Sequence, residues 1–272
     1  MVYMVEVHFL SKQETRQEYQ TSTYLQTISS KELDIRKNKH GRKTNVRVDL
    51  MQFYYNSTLD FTYEEKEHIE PILKQALFRL ENHFPGVTQH LLFENKLRLG
   101  KVEGSLDWHF PYTLNMTIIL PEKVINEDTL ERTLIHEMIH LHQKTQPHFY
   151  EEIYTNSFGF EKINAEKVII TSDYENNLVT NPDALRREWA IQLYDGLYLP
   201  AIVYINKQHN DCLFRLKKSS NPGYYISDEV PSIAKSRKDY LDMIQNCNQQ
   251  VDHPNEIIAC IITSNIFKNM VP

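Results

Sequence analysis

The sequence predicts an α+β protein, and three observations carry that reading. Residues 62–84 form a long amphipathic segment in which Ile69, Ile72, Leu73, Ala76, Leu77, Leu80 and Phe84 recur at helical spacing. Residues 112–120 alternate, with Leu114, Met116, Ile118 and Leu120 on one side, as a half-buried strand does. A second helix follows that strand almost at once, and the remaining chain reads as mixed structure ending in helices.

Residues 2–10 read as a strand rather than a signal peptide, because MVYMVEVHFLSK lacks a basic start and carries Glu6 and His8 within its apolar stretch. Residues 46–55 (VRVDLMQFYY) read as another strand. Between them a basic run contains Arg36, Lys37, Lys39, Arg42, Lys43 and Arg47. Such a run can contact nucleic acid, but no aromatics interleave it, so a solvated loop is the expectation. Residues 1–60 are therefore expected to be an N-terminal extension and residues 61–272 the main domain. Thr62 and Glu65 have capping-box spacing at the start of the long helix, and Pro71 is a candidate for its true first turn. Strands are expected at 96–103, 112–120 and near 212–217. A hairpin should turn at Asp195-Gly196 within 188–205. Helices are expected from about 126 to 144, then at 148–158, 236–247 and 254–269.

Composition narrows the function classes. Apolar residues are 41% and charged residues 24% of 272, ordinary for a globular chain. A formal charge of −6 gives no net field toward nucleic acid. No apolar run reaches the roughly 18 residues that cross a bilayer, so no membrane partner is expected. Cys212, Cys247 and Cys260 make no disulfide framework and no C-x-x-C pair, which fits a reducing, cytoplasmic setting.

The chemistry concentrates at His136-Glu137-Met138-Ile139-His140, an H-E-x-x-H sequence. Residues four apart on a helix share a face, so both imidazoles can reach one cation, and zinc is the cofactor this pattern suits. Glu137 lies one step round, where it can act as general base on a water whose pKa zinc lowers toward about 7. Leu130, Leu134, Met138 and Leu141 supply an apolar stripe at helical spacing. Two histidines and a glutamate on such a buried-face helix would be costly without a metal or partners. His142 points to another face, toward solvent or in support of the metal.

A catalytic zinc site needs a third protein ligand and an open position. The metzincin pattern fails, because Gln143 stands where its glycine belongs and Gln146 where its third histidine belongs. Two candidates remain open. One is His148, just past Pro147. The other is Glu256 in Asp252-His253-Pro254-Asn255-Glu256, which could equally be an N3 helix cap. At this segment the chain resembles the gluzincin group of zinc peptidases, whose third ligand is a glutamate on a later helix. Segments 134–160 and HPNEIIA are also similar to uncharacterised metallopeptidase-like proteins of large DNA viruses. The resemblance implies a zincin-like fold, with a small mixed sheet, an edge strand packed on the H-E-x-x-H helix and a mostly helical C-terminal part. It implies His136, His140 and Glu256 as metal ligands, Glu137 as base, and a peptide or protein substrate. It implies that 112–120 is the edge strand along which an extended peptide pairs. His148 as ligand would instead resemble SprT- or WLM-like proteases, which associate with nucleic acid. Tyr224, Tyr225, His209 and His253 lie late enough to supply an oxyanion donor, and Tyr225 is the choice among them.

Overall fold

A computed structural model of the chain describes residues 5–39, 47–104, 106–170, 174–206, 208–245, 247 and 250–268. The first part runs β1 (Glu6–Phe9), α1 (Lys12–Thr21), α2 (Tyr24–Thr27), α3 (Ser30–Lys39), α4 (Arg47–Asn56), β2 (Thr58–Leu59) and α5 (Tyr63–His83). It continues with β3 (Lys96–Val102), β4 (Tyr112–Leu114), β5 (Thr117–Pro121), α6 (Leu130–Thr145) and α7 (Pro147–Phe158). Then come β6 (Phe160–Lys162), β7 (Val168–Ile170), β8 (Leu178–Val179), β9 (Trp189–Leu193), β10 (Gly196–Ile205) and β11 (Gln208–Lys218). The chain ends with β12 (Tyr225–Ser227), β13 (Ser232–Ile233), α8 (Lys238–Met243) and α9 (Pro254–Lys268). The class is α+β, as expected.

The chain divides into two compact units. One comprises Met1–Gln26, Val46–Pro147 and Ile262–Pro272, the other Thr27–Asn45 and His148–Ile261. The boundary expected at residue 60 does not coincide with this division, because β1 is a strand of the same sheet as β3.

In the first unit the sheet order is β1-β3-β5-β4, with β2 pairing β3 beside β1. Strands β1, β3 and β5 are parallel and β4 is the antiparallel edge. Leu97, Leu99 and Val102 of β3 are buried. Gly100 between them lets α1 approach closely, since a Cβ there would lie 2.9 Å from Ile119 Cδ1 and 3.1 Å from Thr15 Cγ2 of α1 and would push those side chains aside. Helix α1 opens on a capping box of Ser11 and Glu14, and α5 on the expected one of Thr62 and Glu65. Pro71 is not the first turn of α5 but lies inside it, on the exposed face, where water can satisfy the carbonyl that a proline leaves unbonded. Helix α6 packs on β4, β5 and α5.

Two strand expectations in this unit are corrected. Residues 47–56 are helical: Leu50, Phe53 and Tyr54 are buried, and that spacing is a helical face that overrides the β-propensity of the segment. The strand read at 112–120 is a hairpin, because Asn115 turns at φ 52 and folds β4 back on β5. The edge is therefore only Tyr112–Leu114.

The second unit is built on an eight-stranded sheet of order β6-β9-β10-β11-β12-β7, with β8 on β10 and β13 on β11. The expected hairpin joins β9 to β10 but turns at Tyr194-Asp195, one residue earlier than expected, since Gly196 already pairs with Leu193; β10 pairs with β11 from Leu197↔Leu216 to Ile205↔Gln208. Ala190, Leu199, Val203, Cys212 and Phe214 form its core. The C-terminal part is thus not mostly helical. Strands of two or three residues such as β6, β7, β8, β12 and β13 are too short to show a period of two in the sequence. Cys247 and Cys260 form a disulfide, Cα–Cα 6.4 Å, which the cysteine spacing did not announce. Arg36 of the basic run is buried, donating to Glu32 Oε1 from Nε (2.9 Å) and a terminal nitrogen (2.6 Å). Residues 40–46 of that run lie outside the described residues. No described helix is long and apolar enough to cross a membrane.

Candidate metal centre

Helix α6 carries the H-E-x-x-H residues, and its stripe of Leu130, Leu134, Met138 and Leu141 is buried as expected. His136 and His140 meet edge to face one turn apart, ring centroids 4.7 Å apart, with their Nε2 atoms separated by 3.1 Å. Two nitrogens bound tetrahedrally at about 2.0–2.1 Å from one zinc would stand roughly 3.3 Å apart. The pair therefore fits the metal. The other nitrogen of His140, Nδ1, lies 2.8 Å from Gln143 Oε1. An amide oxygen only accepts, so Nδ1 carries the hydrogen and Nε2 presents its lone pair toward His136. Glu137 is buried on the next position round the helix.

The end of α6 is fixed to the sheet edge. Lys144 Nζ donates to the Thr113 carbonyl (2.9 Å) and hydroxyl (2.5 Å) on β4. His142 does not face solvent: it is buried with its ring 5.4 Å from that of His90, and burial first, then His90, lowers its pKa to about 4. Ahead of β4, Asp107, Trp108 and His109 take left-handed φ values of 42, 59 and 71. That turn buries the Asp107 carboxylate, which accepts from the hydroxyls of Tyr24 (2.9 Å) and Tyr54 (2.6 Å). Tyr19 hydrogen-bonds Tyr112, the first residue of β4. Strain held by surrounding contacts in this way sets where the edge strand begins.

In the second unit, His253 is the N-cap of α9: its carbonyl accepts from Ile257 (3.2 Å) and its Nδ1 from the Asn255 amide (3.1 Å). Pro254 and Glu256 then fall in the first turn, where a carboxylate faces the positive end of the helix dipole. Glu256 is buried, and its Oε1 accepts from Asn181 Nδ2 at 2.9 Å, so a distant residue orients the carboxylate. Asn255 is tied to Tyr154 and to the Asp183 carbonyl, each at 2.8 Å. Burial pushes the Asp252 carboxyl well above the usual carboxylate range, with Asp211 and Glu256 adding to it. Asp211 is pushed up to about 6, again chiefly by burial.

The His148 side chain is 96% exposed, 3.8 Å from Glu151. Tyr225 sits on β12 opposite Lys218 and Val168, packed on the core of the second unit. Among the described residues the hydrogen-bond network around Glu256 does not include it. His209 faces Tyr204, and Tyr224 lies under Lys167.

No family model, curated protein or solved structure matches this chain. Sequence reasoning missed Gln143, although an amide at i+3 from a candidate ligand histidine is a readable signal. It also missed Asn181, which lies 75 residues from Glu256 and leaves no local pattern.

Proposed function

We propose that the chain is a zinc-dependent hydrolase, a zincin-like metallopeptidase that cleaves peptide bonds. The observation that carries this reading is the convergence of His136 and His140 Nε2 at 3.1 Å, with the His140 tautomer held by Gln143. His136 and His140 would hold the metal, and the resemblance to gluzincins makes Glu256 the third ligand. A buried carboxylate oriented by Asn181 at the start of α9 supports that choice over the exposed His148. Bound zinc would supply a Lewis acid that lowers the pKa of a water toward about 7 and polarises the scissile carbonyl. Glu137 would take the proton from the attacking water and pass it to the leaving nitrogen. Gln143 keeps the His140 ring fixed through these steps. The resemblance would lay an extended peptide along the edge strand β4, but Tyr112, Thr113 and Leu114 are buried and the Thr113 carbonyl already accepts from Lys144, so the strand itself lends that pairing no support. Tyr225 remains the proposed oxyanion donor.

The experiment is Glu137→Gln, which keeps the shape and loses the proton acceptor. The variant should retain zinc and lose roughly 100- to 10,000-fold in hydrolysis of a peptide substrate. Turnover at the parental rate refutes the general-base role.

A further inference from the structure

We propose that Cys247–Cys260 is a redox latch, a disulfide whose reduction by a dithiol frees the segment that carries Glu256. The bond and the segment both belong to the second unit. The core of that unit is its sheet, around Ala190, Leu199, Val203, Cys212 and Phe214, and the bond joins no strand of it. It ties Cys247, past the end of α8, to Cys260 in the second turn of α9. The loop it closes contains Val251, Asp252, His253 and Glu256, all buried. Residues 250–253 of that loop lie in neither helix nor strand. Cys260 follows Glu256 by four residues, which puts the two on one face of α9 a single turn apart. The segment is otherwise tied by hydrogen bonds such as Tyr240 to the Val251 carbonyl (2.6 Å), Asn181 to Glu256 and Asn255 to the Asp183 carbonyl. Water can replace these once the segment opens, so the covalent bond is the constraint that keeps it shut.

A unit with a buried sheet of its own does not depend on a staple to fold, and this bond sits on the ligand-bearing segment instead of the scaffold. In the reducing setting that three cysteines without a framework suit, a disulfide is chiefly transient or redox-sensing. Each cysteine is 4% exposed, so a dithiol reaches the bond through local opening of the segment. Its thiolate attacks one sulfur, and the other leaves as a thiolate that takes up a proton. The second thiol of the reductant then displaces the first cysteine and closes the reductant's own disulfide. Two electrons and two protons thereby pass to Cys247 and Cys260. The consequence for zinc rests on the reading of Glu256 as a ligand; the latch itself does not.

The test compares the oxidised full chain with the chain reduced by dithiothreitol, the reductant then being removed under nitrogen. With zinc withheld, hydrogen-exchange mass spectrometry over the first minutes of labelling reads local opening. Amides of 251–257 should exchange at least tenfold faster after reduction, whereas those of 208–218 on β11 should change little over the same times. An unchanged rate at 251–257, or an equal gain in both peptides, overturns the latch, the second result being that of a general staple. Zinc affinity by chelator competition should fall at least tenfold on reduction, and reoxidation should restore it. Unchanged or tighter zinc binding by the reduced chain overturns the proposal. A chain that binds no zinc in either state refutes the metal reading instead, and the exchange result then decides the latch. The double variant Cys247→Ser with Cys260→Ser should match the reduced parent with or without reductant. Should that variant fail to fold, the oxidised and reduced parent carry the test alone.

Discussion

Replacing Glu32 by Gln removes one charge from a buried network. Glu32 and Arg36 are 1% and 3% exposed, and the carboxylate also accepts from the amide and hydroxyl of Thr180. Arg36 donates in turn to the Thr180 carbonyl at 3.1 Å. The amide oxygen of Gln can keep part of this geometry but removes the carboxylate charge that the Arg36 guanidinium pairs with. Removing one partner of a buried pair costs about 3–5 kcal/mol, whereas replacing both by apolar groups is often neutral. The slowest amides of β10 and β11 should therefore exchange with deuterium roughly two to three and a half orders of magnitude faster in Glu32→Gln. The double variant Glu32→Met with Arg36→Met should recover more than half of that loss, because both members of the buried pair are then apolar. Hydrogen-exchange mass spectrometry on peptides from 196–218 reads both. A loss below about 1 kcal/mol in Glu32→Gln, the range of an exposed pair, would refute the reasoning.

Two further predictions concern the metal and the disulfide. Gln143→Ala frees the His140 ring without touching a ligand, so zinc affinity should fall roughly 10- to 100-fold by chelator competition. An unchanged affinity removes Gln143 from the site. The Cys247–Cys260 bond closes a loop of sequence separation 13, so replacing both cysteines by alanine should lower the stability of the second unit by about 3 kcal/mol in urea. An unshifted midpoint shows that the bond contributes nothing.

What the sequence disclosed depended on how local each signal was. Helices α5 and α9 were readable because capping residues and a 3.6-residue apolar rhythm lie within one short segment. The same holds for α6 and its histidine pair, which a single helical turn brings together. Helix α1 was equally readable from Ser11 and Glu14, but a weakly apolar sequence hid it. In α4, Val48, Phe53, Tyr54 and Tyr55 favour strands intrinsically, and only packing decides otherwise. The turn at Asn115 that shortens the edge strand follows from one left-handed residue in an alternating pattern. Partners distant in sequence gave no sign at all. Asn181 on Glu256, Glu32 beneath Thr180, and Tyr24 and Tyr54 on Asp107 are contacts of tertiary structure, and no spacing within the chain encodes them.

The central claim is that two α6 histidines and Glu256 bind zinc, and zinc affinity by competition with a chelator tests it most directly. Parent protein, His136→Ala, His140→Ala, Glu256→Gln and His148→Ala are compared at one pH. The account predicts about one zinc per parent chain, near-complete loss in both α6 histidine variants, a strong loss in Glu256→Gln and little change in His148→Ala. Glu256→Gln is the informative one, because a glutamine at N3 still serves as a cap but lacks the anionic oxygen a metal needs. Undiminished zinc in His136→Ala and His140→Ala would contradict the account, and loss at His148 with none at Glu256 would overturn its ligand set.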